Sequence, residues 1–348
     1  MSASALSATG EAAGRDVGST LDLRTEPGAC PFHPESRLRP AVRGEDYTWG
    51  YPGTFSYGQC ADCATLVLDP RPIPAAIGQY YGRYYTEERL ETYRTAYRND
   101  KLRPEWVGWA DVLRVRGFRA DQKRTGQPVS EGDRVLDVGC GQGGFLRFLR
   151  DATGASVVGV DFDEACGRFA REVHGVEVHR GELTDPGFPD QSFDLVTSYH
   201  CLEHVYDPAA QLREMWRIVR PGGFVHIEVP ARRALGRIFG GRWAFLQPPT
   251  HLFQYDPRQL VSLVEQTGFV DVRTRAPWCP AELGGSVLAA LGMRQMVTSL
   301  FDRQDSLHMK LLQIAVLNSI WIDFAVTGIL ALVGQSGLAR IIARRPPA

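Results

Sequence analysis

A doubly wound α/β fold with a mostly parallel sheet is predicted for this chain, on three observations. From residue 134 onward, short valine-rich apolar runs alternate with stretches of helical period. The first run passes straight into a glycine-rich turn and then a helix. The later helices end on stop signals, "RPGG" at 220–223 and Gly268.

The strands follow in order. "RVLDV" (134–138) is the first and "SVVGV", ending at Asp161, the second. "VEVH" is the third, "SFDLVTS" the fourth, "FVHIEV" the fifth and "FVDVRTR" the sixth. "GLARIIARR" supplies one last strand, making seven. Between them "FLRFLRDA", "DEACGRFAREV", "PAAQLREMWRIV" and "DPRQLVSLVEQTG" read as helices.

Ahead of this core, residues 1–25 are small and polar and read as a disordered tail without the apolar stretch of a signal peptide. Residues 26–75 hold two pairs of metal-ligand type, Cys30-x2-His33 and Cys60-x2-Cys63. Each pair can fill one face of a tetrahedron, and three thiolates with one imidazole suit a structural Zn²⁺. Residues 76–128 form a helical lid and linker, with tyrosines at 80, 81, 84 and 85. Trp106, Trp109, Val112 and Leu113 recur there at helical spacing. The sheet domain occupies 129–275, a helical insertion 276–336, and the last strand and tail 337–348.

Composition narrows the partners. The net charge of −1 gives no electrostatic reason for nucleic acid or an anionic membrane. Seven cysteines without an extracellular signature suit a cytoplasmic protein with reduced thiols. "LLQIAVLNSIWIDFAVTGILALV" (311–333) is long enough to span a bilayer. Gln313, Asn318, Ser319, Asp323 and Thr327 interrupt it, and a carboxylate near its middle is costly there. These polar residues share one side of a helix, so the segment reads as a helix with one wetter face. It would pack over the acceptor edge, where a partly apolar small molecule would fit beneath it, or form a homodimer contact. A helix pair that only covers the sheet fits equally.

"VLDVGCGQGG" carries the most chemistry. Gly139, Gly141 and Gly143 let backbone approach a ligand without a Cβ clash. Asp161 ends the next strand, where an acidic side chain receives ribose hydroxyls. No Lys-Ser/Thr follows the glycines, so there is no P-loop, and G-x-G-x-G departs from the nicotinamide spacing. Asp137 would repel a pyrophosphate, whereas a cationic ligand such as S-adenosylmethionine fits beside it.

With "VVGVD", "GELTDPGFPDQSFDLVTS", "LEHVYDP" and "RIVRPGGFVHIEVP", this stretch resembles the class I S-adenosylmethionine-dependent methyltransferases over residues 134–275. The resemblance implies a Rossmann-like sheet. It also implies that Asp137, Gly139 and Gly141 line the methionine end and that Asp161 holds the ribose. Phe162 would lie against the adenine, with Glu182 and Leu183 at its polar edge, and Gly143 and Tyr199 would complete the cofactor site. Many such enzymes carry an N-terminal zinc-ribbon-like segment ending as "CADCATLVLDPRP" does, although the first pair there is usually two cysteines.

"HCLEHV" (200–205) has the H-x-x-E-H spacing of an inverted zinc peptidase. Its place directly after the fourth strand instead makes it a wall of the acceptor site. Some ubiquinone-pathway O-methyltransferases have E-x-x-E-H here and hold a divalent metal with it; His200 replaces the first glutamate, and loop-organising hydrogen bonds are the alternative role. Methyl transfer to a hydroxyl requires removal of a proton, a task for histidine near neutral pH. His251, in "QPPTHLFQYD", His200 and His204 are the catalytic candidates. The function expected is O-methylation of a small or medium-sized acceptor of secondary-metabolite or glycan type. N- or C-methylation, or cofactor binding without transfer, uses the same fold.

Overall fold

A computed structural model describes residues 24–81, 86–98, 103, 108–293 and 321–348. The tail through residue 23, Tyr84, Tyr85, Trp106 and the first part of the 311–333 segment lie outside the described residues.

Three sheets form. Strands β1 (Thr25–Glu26) and β5 (Arg71–Pro72) pair antiparallel. Strands β2 (Leu38–Gly44), β3 (Phe55–Cys60) and β4 (Leu66–Leu68) build an antiparallel sheet, to which β11 (Phe253–Gln254) adds on the β4 side. The main sheet contains β6 (Arg134–Val138), β7 (Ser156–Asp161), β8 (Glu177–Arg180), β9 (Phe193–Tyr199), β10 (Val219–Pro230), β12 (Val270–Arg275) and β13 (Leu338–Arg344). Its order is β12-β13-β10-β9-β6-β7-β8, and β13 alone runs antiparallel to its neighbours. The predicted seven-stranded, mostly parallel, doubly wound sheet is therefore present.

The central strands are buried on both faces, which explains their nearly unbroken apolar sequence. Val135, Leu136 and Val138 of β6 and Val225, Ile227 and Val229 of β10 are buried. Edge strand β12 carries Asp271, Arg273 and Arg275, charges that discourage pairing with another chain. Helix Gly144–Thr153 buries Phe145, Leu146, Phe148 and Leu149 and stops at Gly154, whose left-handed conformation suits glycine. Helix Pro208–Ile218 starts with Pro208 and an Asp207 carboxylate that accepts from the Ala210 amide at 2.8 Å.

Three expectations shift. Strand β10 begins at Val219, and "RPGG" bulges within it instead of separating it from the helix. In helix Trp109–Thr125 the buried stripe is Val115, Phe118 and Gln122, joined by Asp121. Trp109 (53% exposed) and Leu113 point outward, because the Arg340 guanidinium, 2.7 Å from Asp121, draws that side of the helix inward. In the insertion the wetter face proves to be the inner one. Asp323 is buried and accepts from the amides of Ala281 and Gly284, at 3.1 and 2.7 Å, at the start of helix Glu282–Ala290. Thr327 is buried and accepts from the Trp278 indole at 3.0 Å, while Trp321, Ile322, Ile329 and Leu332 face out. Asp323 is satisfied there by the free amides of a neighbouring helix terminus. Among the described residues no helix is long and apolar enough to cross a membrane.

Candidate active site

Main-sheet order reverses between β6 and β9, the switch point where doubly wound folds bind ligands. The carboxyl ends of β6 to β10 deliver Gly139, Phe162, Glu182, His200 and Ala231 to one edge. Gly139 and Gly143 both have φ near +74°. A Cβ on Gly139 would lie 2.7 Å from the Cys201 Cβ, and one on Gly143 would lie 2.9 Å from the Ala170 Cβ. Glycine is thus required twice over, by conformation and by close approach.

Two carboxylates organise this turn. One Asp161 oxygen accepts from the Gly141 amide at 2.7 Å, the other from the Asp163 amide at 2.9 Å. Asp137 accepts from the Thr197 hydroxyl at 2.6 Å. Burial raises the pKa of both, and Asp137 is carried to about 7, with the Thr197 hydrogen bond opposing. No salt-bridge partner lies within 4 Å of either among the described residues. A pair of buried acids with no cation in contact, beside a glycine cradle, suits a ligand that is cationic and carries no phosphate.

The other expected cofactor residues divide. Phe162 is 44% exposed and meets the Tyr81 ring edge-on at 4.5 Å. Glu182 is exposed, and its amide donates to Asp185 at 2.7 Å. Leu183 is buried in the main core. Tyr199 is drawn into the second core cluster, and its hydroxyl meets His226 Nδ1 at 2.9 Å. His226 is accordingly a core residue.

The acceptor edge brings together segments far apart in sequence. His204 Nδ1 donates to the Thr250 carbonyl at 2.8 Å and lies 2.9 Å from the Tyr81 hydroxyl. His251 Nδ1 donates to the Phe245 carbonyl at 2.9 Å. These carbonyls place the proton on Nδ1 and leave a lone pair on each Nε2. His251 Nε2 is 4.0 Å from Glu203, the rings of His204 and His251 meet edge-on at 4.6 Å, and ligand atoms of all three residues lie within 4.8 Å of one another. Glu203 is fully buried and neither of its oxygens has a hydrogen-bond partner. Burial depresses the pKa of His204, and it takes that of His251 down to about 3.

His200 behaves oppositely. Its backbone is left-handed, φ 53°, and its ring lies between Glu203 at 3.6 Å and Glu228 at 3.5 Å. Burial opposes its charge, but the two carboxylates raise its pKa to about 9. The two carboxylates thus favour its imidazolium form, which holds no lone pair for a base. Sequence reasoning also missed Tyr81 as a specific contact; its place in a tyrosine-rich run hid a hydroxyl that reaches His204.

Near the N-terminus, Cys30 and Cys63 sulfurs lie 3.7 Å apart, as do the Cys60 sulfur and His33 Nδ1. A tetrahedral zinc with metal–sulfur bonds of about 2.3 Å has edges of about 3.7 Å. All four ligand atoms lie within 4.8 Å of one another. The donor set and its spacing therefore fit zinc.

Comparison with known proteins agrees with this geometry. A family profile described as a methyltransferase domain matches residues 110–274. A probable S-adenosylmethionine-dependent methyltransferase of Mycolicibacterium smegmatis is 30% identical over 181 residues, half of this chain and 68% of that protein. The ubiquinone biosynthesis O-methyltransferase of Pseudomonas aeruginosa is 38% identical over 114 residues, 31% of this chain and 49% of that one. The crystal structure of Haemonchus contortus phosphoethanolamine N-methyltransferase 2, in complex with S-adenosyl-L-methionine, covers 94% of this chain and 72% of its own, with 17% identity and a TM-score of 0.51. That last likeness is one of fold. The chain belongs to the S-adenosylmethionine-dependent methyltransferases.

Proposed function

We propose that this protein transfers the methyl group of S-adenosylmethionine to a hydroxyl of a small or medium-sized acceptor. The observation that carries the reading is the cluster of Glu203, His204 and His251. Glu203, buried and with neither oxygen hydrogen-bonded, faces the rings of His204 and His251, so a proton taken by either imidazole would sit beside its carboxylate. The bound cofactor supplies a methyl group on a sulfonium, already activated for in-line displacement. Asp137 and Asp161 hold its cationic and ribose portions, and the glycine turn sets its depth. His251 or His204 takes the acceptor proton, Glu203 stabilises the imidazolium that results, and Tyr81 orients His204. The ubiquinone relatives are O-methyltransferases by name, which supports a hydroxyl acceptor.

A second reading rests on the same cluster. Two imidazoles whose Nδ1–H groups are held by backbone carbonyls, with one carboxylate, also form a donor set for a divalent cation. The structural zinc of Cys30, His33, Cys60 and Cys63 is proposed independently of it. Conversion of S-adenosylmethionine to S-adenosylhomocysteine should be measured with phenolic, alcoholic, amine and carbon acceptors. Turnover confined to amines or carbon acids rejects the hydroxyl reading, and metal analysis finding a second bound ion per chain favours the cation.

A further inference from the structure

The zinc-ligand segment and the acceptor edge share a sheet. Three strands of that sheet come from residues 38–68, and the fourth is β11, Phe253–Gln254, two residues beyond His251. Leu68 donates its amide to the Leu252 carbonyl at 2.9 Å, and Leu252 donates its own to the Glu203 carbonyl at 2.9 Å. One residue is thus clamped between the metal-ligand sheet and the base cluster. On β3, three residues before ligand Cys60, Tyr57 is almost completely buried. Its hydroxyl donates toward the His251 carbonyl at 2.7 Å, with the Leu246 carbonyl at 3.2 Å. Phe32, between ligands Cys30 and His33, meets the Tyr255 ring edge-on at 6.1 Å, and the Tyr255 hydroxyl donates to the Leu202 carbonyl at 2.9 Å. Backbone pairing, a buried hydroxyl and an aromatic contact therefore reach His251, Glu203 and Leu202 from the same segment.

We infer that the cysteine–histidine segment is a built part of the acceptor site: Tyr57 is a positioning residue for His251, and losing the ligand geometry releases the 245–254 loop while the glycine-turn cofactor site stays folded. The cofactor elements lie on β6 and β7, which pair with main-sheet strands alone, so they have no share in this second sheet. A peripheral zinc ribbon would instead be tethered through sequence and loosen by itself. The metal trigger rests on the proposed zinc; the Tyr57 contact does not.

The test uses the full chain, with hydrogen exchange, histidine NMR and calorimetry with S-adenosylmethionine. Stripping zinc with a chelator should raise amide exchange across 245–254 at least tenfold while peptides from 134–161 keep their protection. Tyr57→Phe, with zinc still bound, should raise exchange in 245–254 about tenfold and shift the imidazole signals of His251 and His204. Its affinity for S-adenosylmethionine should stay within twofold. If Tyr57→Phe does not fold, Phe32→Leu is read in the same way at residues 202–205 and 253–255. The inference is overturned if zinc removal loosens 30–63 alone, or if the substitution leaves both the loop exchange and the imidazole signals unchanged. Protein purified without chelator that contains no zinc refutes the metal trigger, and the Tyr57 arm then decides the positioning role on its own.

Discussion

The two halves of the candidate site are built differently. The cofactor half is local: Asp137, Gly139, Gly141 and Gly143 lie in one seven-residue stretch, and Asp161 closes it with a single hydrogen bond to the Gly141 amide. The acceptor half is assembled from Tyr57, Tyr81, residues 200–204 and His251, brought together by contacts more than a hundred residues apart. Chemistry differs as well. The first half is acidic; the second sets two imidazoles of lowered pKa, His204 and His251, and one of raised pKa, His200, around the buried Glu203 carboxylate. A turn that must hug a ligand leaves its requirement in consecutive residues, whereas a proton-accepting cluster can draw its members from anywhere the fold brings near.

Separating the halves by mutation gives the largest expected effect. His251→Ala or His204→Ala should lower turnover about 10²–10⁴-fold, the usual cost of losing a general base. Calorimetric affinity for S-adenosylmethionine should be unchanged. If both variants turn over normally with a competent hydroxyl acceptor, the base assignment falls. Should affinity drop in parallel, the two halves are not separable in the way the contacts suggest.

Asp161→Ala should act on the other half, weakening cofactor binding by about 1.5–3 kcal/mol through lost charge-assisted hydrogen bonds. It also frees the Gly141 amide, so some of this effect is loosening of the turn. Titration calorimetry that finds wild-type affinity removes Asp161 from the site.

The halves should differ in pH response too. Asp137 is held near pH 7 by burial, and a cation binds best to its ionised form. Affinity for S-adenosylmethionine should therefore fall as pH drops from about 8 to 6, approaching tenfold per pH unit below 7. Asp137→Asn should bind weakly and with a flat profile. A wild-type profile that is equally flat places the carboxylate outside the binding equilibrium.

The same contrast explains what the sequence disclosed. Parallel strands buried on both faces and the stop at Gly268 made the main sheet legible, as did the apolar run that became β13. The glycine turn and Asp161 were legible for the same local reason. The partner of Tyr199 was not legible, because strand position does not say which way a side chain packs, and its hydroxyl meets His226. Asp323 misled because helical periodicity finds a polar face without saying whether solvent or a helix terminus satisfies it. In "HCLEHV", spacing grouped His200 with Glu203 and His204, whereas the fold substituted His251. The reason lies in two carboxylates: Glu203 is three residues from His200, and Glu228 comes from the neighbouring strand.

That substitution yields the smallest expected effect and the sharpest test of the comparison. His200 is the charged member of an edge whose other histidines are neutral. Its folded pKa, about 9, lies above the unfolded value of about 6.5. A raised pKa stabilises the fold fully below the unfolded value, and the contribution disappears as pH rises from about 6.5 through 9. With its side chain 32% exposed, solvent reduces the benefit to about 1 kcal/mol. His200→Asn keeps a residue tolerant of the left-handed backbone and removes the charge. Urea denaturation should show the variant less stable by about that amount at pH 6, with the gap closing by pH 9.5. A gap that is constant with pH would mean that His200 acts through shape alone. One that widens toward alkaline pH would mean that its ring is neutral in the fold, and His200 would then return to the acceptor edge as a base.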